Sequence, residues 1–131
     1  MQEIVASDAP TPQGAYSQGV AAGDLVFTAG MGPVDPATGA VVGTDIAEQT
    51  QRTLENIRAI LGAAGLDLTN VVKVTAHLQY LRRDFAGYDR VYRAYFTAPY
   101  PVRTTVGSDL MDILVEIDVV AIRDDRSQAA S

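Results

Sequence analysis

The stretch Val71-Val-Lys-Val-Thr-Ala-His-Leu-Gln-Tyr-Leu81 alternates between apolar and polar side chains along its length. Val72, Val74, Ala76, Leu78 and Tyr80 fall on one side of an extended chain, and Lys73, Thr75, His77 and Gln79 fall on the other. Such a segment is a strand with one face in a core and a more polar face turned away from it. On either side of it the period becomes helical. Upstream, Ile46, Thr50, Leu54, Ile57 and Leu61 recur at steps of three or four, Asp45 and Glu48 have the spacing of a capping box, and Gly65 is placed to stop the helix. Downstream, Asp84 is predicted to cap a second helix in which Phe85, Tyr88, Tyr92 and Tyr95 follow helical steps, and Pro99 and Pro101 end it. This aromatic stripe reads as packing, since a base-stacking platform would interleave basic charge with the rings.

Further out, Leu25-Val-Phe-Thr-Ala-Gly30 reads as a strand after the turn at Gly23-Asp24, and Asp35-Pro-Ala-Thr-Gly39 reads as a turn. From Val102 to Gly107, Arg103 and Thr105 share one face, opposite Val102, Thr104 and Val106. From Ile113 to Ile122, Ile113, Val115, Ile117, Val119 and Ala121 form a core face, which puts Glu116 and Asp118 on the other side. The polar faces of these two strands are expected to meet in one place. The order β-β-α-β-α-β-β predicts an α+β fold with two helices on one side of a sheet, in a single domain over residues 1–131 whose small, polar end, 124–131, frays. Thr75, His77, Leu81, Leu114 and Val120 are assigned to the opposite sheet face, a mixture too apolar for plain solvent surface. That face calls for a partner.

Composition narrows the function. A chain of 131 residues with 47% hydrophobic content supports one core. A net charge of −6, with a single lysine, argues against a surface that neutralises phosphates, so no nucleic-acid partner is expected. The absence of cysteine removes disulfides, thiolate nucleophiles and thiolate metal sites. No leader of signal-peptide form and no apolar run near 18 residues is visible, which predicts no membrane association and a cytoplasmic location. His77, the only histidine, lacks neighbours at ligand spacing, so no metal site is expected.

The chemistry concentrates on two residues. Arg103 follows Pro99-Tyr-Pro-Val102, a stiffened approach to its strand, and offers a permanently charged planar fork that matches a carboxylate. Glu116 interrupts a strongly apolar strand about a dozen residues later and can manage a water or a proton. An ordinary ion pair between neighbouring strands is the plainer alternative.

The whole chain carries a further pattern. Gly14-Ala-Tyr16-Ser-Gln18-Gly19, Phe27-Thr-Ala-Gly30, Pro33-Val-Asp-Pro36-x-Thr-Gly39, Gln49-x-x-x-Thr53-Leu54-x-Asn56-Ile57, Val71-Val-Lys-Val-Thr75, Tyr92-x-x-Tyr95-Phe96, Pro101-x-Arg103 and Val115-Glu-Ile117 follow in that order. Together they resemble the RidA (YjgF/YER057c/UK114) family of imine and enamine deaminases over about residues 3 to 123. The resemblance implies a chorismate-mutase-like fold with a mixed β-sheet, and a homotrimer with active sites in clefts between subunits. It implies cofactor-free hydrolysis of 2-imino acids such as 2-iminobutanoate and 2-iminopropanoate to 2-oxo acids and ammonia. On that resemblance Arg103 clamps the substrate carboxylate, Glu116 positions the attacking water, Tyr16 and Gly30 line the pocket, and Thr105 offers a small polar group and its amide. Four positions depart from the family pattern: Ala29 stands where many members carry serine, Met31 for glutamine, Thr105 for cysteine and Asp89 for asparagine. Asp89 is the departure expected to add negative charge near an anionic substrate. The connection between Met111 and Ile113 also looks short, which would reshape one pocket wall. The alternative reading is a non-catalytic binder of small carboxylates, or a regulatory trimer, using the same Arg103. An endoribonuclease fits poorly with one histidine, one lysine and net negative charge.

Overall fold

The computed structural model describes residues 1–123, so the expected frayed end at 124–131 lies outside the described residues. Six strands and two helices follow in the order β1 (Gln2–Ile4), β2 (Gly19–Ala22), β3 (Leu25–Thr28), α1 (Ile46–Ala63), β4 (Val71–Leu78), α2 (Leu81–Tyr95), β5 (Val102–Gly107) and β6 (Val115–Ile122). The strands form one mixed sheet ordered β1-β2-β3-β6-β4-β5, in which only the β4-β5 pair is parallel. Both helices pack on one face, so the α+β expectation holds. The sequence order lacks one short strand: β1 has three residues and only Ile4 is buried, too little alternation to register as a pattern. Among the described residues no helix is long and apolar enough to cross a membrane.

The core lies between the helices and the sheet. From α1 come Leu54, Ile57, Ile60 and Leu61, from β4 Val74, Ala76 and Leu78, and from β6 Val115, Ile117, Val119 and Ala121, all but closed to solvent. The helical step of three or four delivers the first set and the strand alternation the other two. Tyr88 and Tyr92 of α2 are buried with them, as the aromatic stripe predicts.

Four local expectations need correction. Val72 is exposed and Val71 takes its place in the core, because a β-bulge between Val71 and Lys73 inserts one unpaired residue and reverses the alternation there. Tyr80 is half exposed because it lies beyond β4, as the residue preceding α2. Leu81 opens that helix and packs against the core instead of lying on the open sheet face. Asp84 sits inside the first turn of α2, its N–H donating to the Tyr80 carbonyl, and pairs with Arg83 at 2.9 Å instead of capping. At α1 only half of the expected box forms: Asp45 Oδ1 accepts from the Glu48 N–H at 2.8 Å, and Gly65, at φ +78°, follows the last turn as expected.

Buried polar side chains of α1 tie the loops to this frame. Asn56 Nδ2 donates to the carbonyls of Gly32 and Val34 at 3.0 and 2.9 Å. Gln49 donates to the Gly43 carbonyl and accepts from the Leu114 N–H at 2.8 Å. Replacing Asn56 by alanine strands two carbonyls whose partner is lost, so urea unfolding should register a loss of about 1–3 kcal/mol. An unchanged midpoint would mean that the 32–34 loop is held from elsewhere.

Among the described residues, nothing covers the sheet face away from the helices. Leu25, Phe27, Val102 and Val106 stand exposed on it, around Thr75, His77, Glu116, Asp118 and Val120. His77 Nδ1 lies 2.7 Å from Ser108 Oγ on this side.

Candidate active site

Arg103 and Glu116 do not share a face. The parallel pairing of β5 with β4 aligns Arg103 with Val74 and Thr105 with Ala76, both core-facing, so these two side chains point toward the helices. Glu116 pairs with His77, on the open side. The ladder Arg103–Val74–Val119 places Glu116 three residues along β6 from that row, two strands away and on the other face. The expectation that the two polar faces meet within the chain is therefore overturned. Alternation within each strand is correct, but the phase of β5 against its neighbour is set by pairing and cannot be read from β5 alone.

The Arg103 group is built on α2. Asp89 Oδ1 accepts from Arg103 Nη1 at 2.8 Å, while Asp89 Oδ2 accepts from Arg93 Nε at 2.8 Å. The guanidinium carbon of Arg103 lies 4.5 Å from the centre of the Tyr92 ring, within cation–π range. Hydrogen bonds from Arg93 and then Arg103 hold the Asp89 carboxyl below the usual carboxylate range. Burial pushes the Tyr92 hydroxyl up to about 12, keeping it neutral beside the arginine. Thr105 Oγ1 meets the Tyr88 hydroxyl at 3.2 Å, so this hydroxyl is engaged with the helix. Arg103, Asp89, Arg93, Tyr92, Tyr100 and Pro101 enclose a pocket of about 350 Å³. The plain alternative of an Arg103–Glu116 ion pair fails, because the partner of Arg103 is Asp89.

The Glu116 group is built on a loop that runs antiparallel alongside β6. Met31 and Ile117 exchange backbone hydrogen bonds of 2.8 and 3.0 Å, which fixes Gly30 against Glu116. A Cβ on Gly30 would lie 2.8 Å from Glu116 Oε2, so the missing side chain is the space the carboxylate occupies. Among the described residues Glu116 makes no hydrogen bond or ion pair, leaving both oxygens for a ligand or water. Tyr16, half exposed, and Gly30 line one pocket of about 550 Å³ along the same loop, and the Tyr16 hydroxyl accepts from the Gln13 N–H. Gly30 thus stands between Tyr16, with which it lines that pocket, and Glu116, whose carboxylate it touches, while Arg103 and Thr105 form a separate group. A larger cleft of about 940 Å³ between the N-terminal segment and α1 holds none of the five.

The departures sort by place. Met31 is buried and Ala29 packs against the core, so both act on packing. Asp89 alone changes the charge around Arg103. The short connection after Met111 is pinned at both ends, Leu110 N–H donating to Gln79 Oε1 and Leu114 N–H to Gln49 Oε1. Sequence patterns pass over Arg93, since an exposed helix arginine has no periodicity to betray it, and although Asn56 belongs to the family pattern, its role as loop anchor is not read from it. A polar residue on the apolar stripe of α1 is the signal that finds Asn56.

Known proteins bear on this arrangement. The family profile described as Endoribonuclease L-PSP matches residues 6–123. A RutC family protein of Pyrococcus horikoshii is 43% identical over 127 residues, 95% of this chain and 100% of that protein. A Salmonella typhimurium protein named 2-iminobutanoate/2-iminopropanoate deaminase is 41% identical over 125 residues, 92% of this chain and 96% of its own length. The crystal structure of Escherichia coli TdcF with bound serine superposes with a TM-score of 0.89 at 37% identity, covering 95% of this chain and 100% of that one.

Proposed function

This chain belongs to the endoribonuclease L-PSP family, also called YjgF/RidA, and on that premise we propose that it hydrolyses 2-imino acids to 2-oxo acids and ammonia without a cofactor. The observation that carries the reading is the pair of complementary groups: a guanidinium held over the Tyr92 ring, and a carboxylate that has no partner among the described residues beside the bare backbone of Gly30. The deaminase name of the Salmonella relative and the serine bound in TdcF point to the same ligand class, a small acid bearing nitrogen on its second carbon.

The chemistry needs little more. Arg103 takes the substrate carboxylate through charge-assisted hydrogen bonds and fixes the imine carbon in place. Glu116 accepts a proton as water adds to that carbon, and the resulting tetrahedral amino alcohol carries the former imine nitrogen as an amine. Return of the proton to this nitrogen lets the C–N bond break as the hydroxyl gives its own proton to Glu116 and its oxygen becomes the carbonyl, releasing ammonia and leaving the 2-oxo acid. One water is consumed and no electrons change hands. A protonated imine is already electrophilic, so no covalent nucleophile is required.

A site of this kind requires two copies of the chain, one presenting Arg103 and Thr105, its neighbour Tyr16, Gly30 and Glu116. The exposed Leu25, Phe27, Val102 and Val106 supply an apolar surface for a closed ring of three. Sedimentation should give three times 13.9 kDa. Mixing equal amounts of dissociated Arg103→Ala and Glu116→Gln chains, each lowered by about 10²-fold or more alone, should restore about a quarter of the sites, because one interface in four then joins two intact groups. A wild-type monomer, or no recovery on mixing, removes the shared site.

The direct test generates 2-iminopropanoate in place with an amino-acid oxidase and follows its decay. The protein should shorten the imine's lifetime at catalytic concentration. If pyruvate binds and the imine decays at its spontaneous rate, the chain is a carboxylate binder and the deaminase reading falls. Gly30→Ala gives an internal check: the added methyl displaces the Glu116 carboxylate, so turnover should fall about 10-fold to 100-fold while the fold stays intact. Wild-type turnover in this variant would separate Glu116 from the reaction.

A further inference from the structure

The ion pair on Arg103 raises a question that carboxylate capture alone does not answer. Asp89 bridges two arginines with 2.8 Å contacts to each, forming a chain of charges Arg93–Asp89–Arg103 along the wall of the 350 Å³ pocket. Two positive groups and one negative leave a single net positive charge. Asp89 is well placed to hold that balance, because its side chain is only 16% exposed and both of its oxygens are engaged. The guanidinium of Arg103 cannot turn freely from it, being stacked over Tyr92 at 4.5 Å with the Tyr88 and Phe85 rings at 5.7 Å.

We propose that Asp89 is a specificity-determining residue, setting the pocket's charge so that it accepts acids with one carboxylate and discriminates against those with two. The inference rests on the reading of Arg103 as the carboxylate clamp and adds the substrate class, imines of amino acids with uncharged side chains. One carboxylate on Arg103 brings the cluster to neutrality. A second one enters a pocket whose remaining charges, Arg93 and Asp89, already neutralise one another, and the Arg93 side chain is paired with Asp89 and largely in solvent, so the second carboxylate meets the Asp89 carboxylate with no free cation to offset it. Asparagine at position 89 would keep the shape and one acceptor while leaving two uncompensated arginines.

The test compares 2-oxopentanoate with 2-oxoglutarate, which differ by one terminal carboxylate on the same carbon chain, using calorimetry on the assembled protein. The wild type should bind the monocarboxylate about 10-fold tighter, and Asp89→Asn should shrink or reverse that ratio by about 10-fold, chiefly by tightening 2-oxoglutarate. Added salt should compress the difference. Arg93→Gln, which removes a cation without touching Arg103, should weaken 2-oxopentanoate by several-fold. An unchanged ratio in Asp89→Asn overturns the proposal. Loss of both acids in that variant also overturns it, since Asp89 would then only orient Arg103, as does a wild type that binds neither acid. Imine turnover is measured separately: a shifted ratio in a protein that clears no imine leaves the specificity assignment standing and removes the deaminase reading.

Discussion

Arg103→Ala should lower catalytic efficiency toward 2-iminopropanoate by about 10²-fold to 10⁴-fold and abolish measurable pyruvate binding. Two charge-assisted hydrogen bonds worth roughly 1.5 to 3 kcal/mol each are lost from the complex, and that sum sets the range. The fold should survive, because Arg103 lies on the sheet edge and Asp89, its partner, keeps Arg93. Arg103→Lys is the more discriminating variant. It retains the charge but loses the two-point fork and the guanidinium's place over the Tyr92 ring, so a drop of about 10-fold to 100-fold is expected. Circular dichroism and sedimentation establish that both variants remain folded and assembled. If either turns over the imine at the wild-type rate, the clamp lies elsewhere and the family relation carries only the fold.

Glu116→Gln keeps the size of the side chain and removes its ability to accept a proton. Turnover should fall by about 10²-fold or more while pyruvate binds within a few-fold of wild type. The split between rate and binding is what matters. A group that merely shapes the pocket would move both together, whereas a group that handles the water moves the rate alone. The position favours this outcome, since glutamine fits the space left by Gly30 and, among the described residues, no bond of Glu116 is broken by the change. Full turnover in the glutamine variant would reduce Glu116 to a structural acid.

Much of the architecture is legible in the sequence. The stripe from Ile46 to Leu61 and the alternation in β4 and β6 give the two-layer fold, because burial acts on each element's own period. What is not legible depends on pairing. That Arg103 faces the helices follows from β5 lying parallel to β4, a relation between segments about 30 residues apart with no trace in either pattern. The same holds for the Arg103–Asp89 bond, which joins an edge strand to a helix across 14 positions. The start of α2 was misleading for a local reason: Asp84 has the residue type of a cap, yet Tyr80 already accepts the first helical hydrogen bond and no side-chain cap is present. Glu116 and Gly30 are individually visible in the sequence, but their contact depends on the Met31–Ile117 bridge.

The bulge at Val72 gives β4 two phases, one on each side of a single unpaired residue. Below it Val71 is matched to Ala121, and above it Lys73, Val74 and their successors are matched to Val120, Val119 and onward. The joint therefore insulates the upper strand from its approach. A connection leaving α1 that gains or sheds a residue can be taken up there, without rotating His77 or its cross-strand neighbour Glu116 to the wrong side of the sheet. Length can drift in the segment before β4 while the orientation of Glu116 stays fixed.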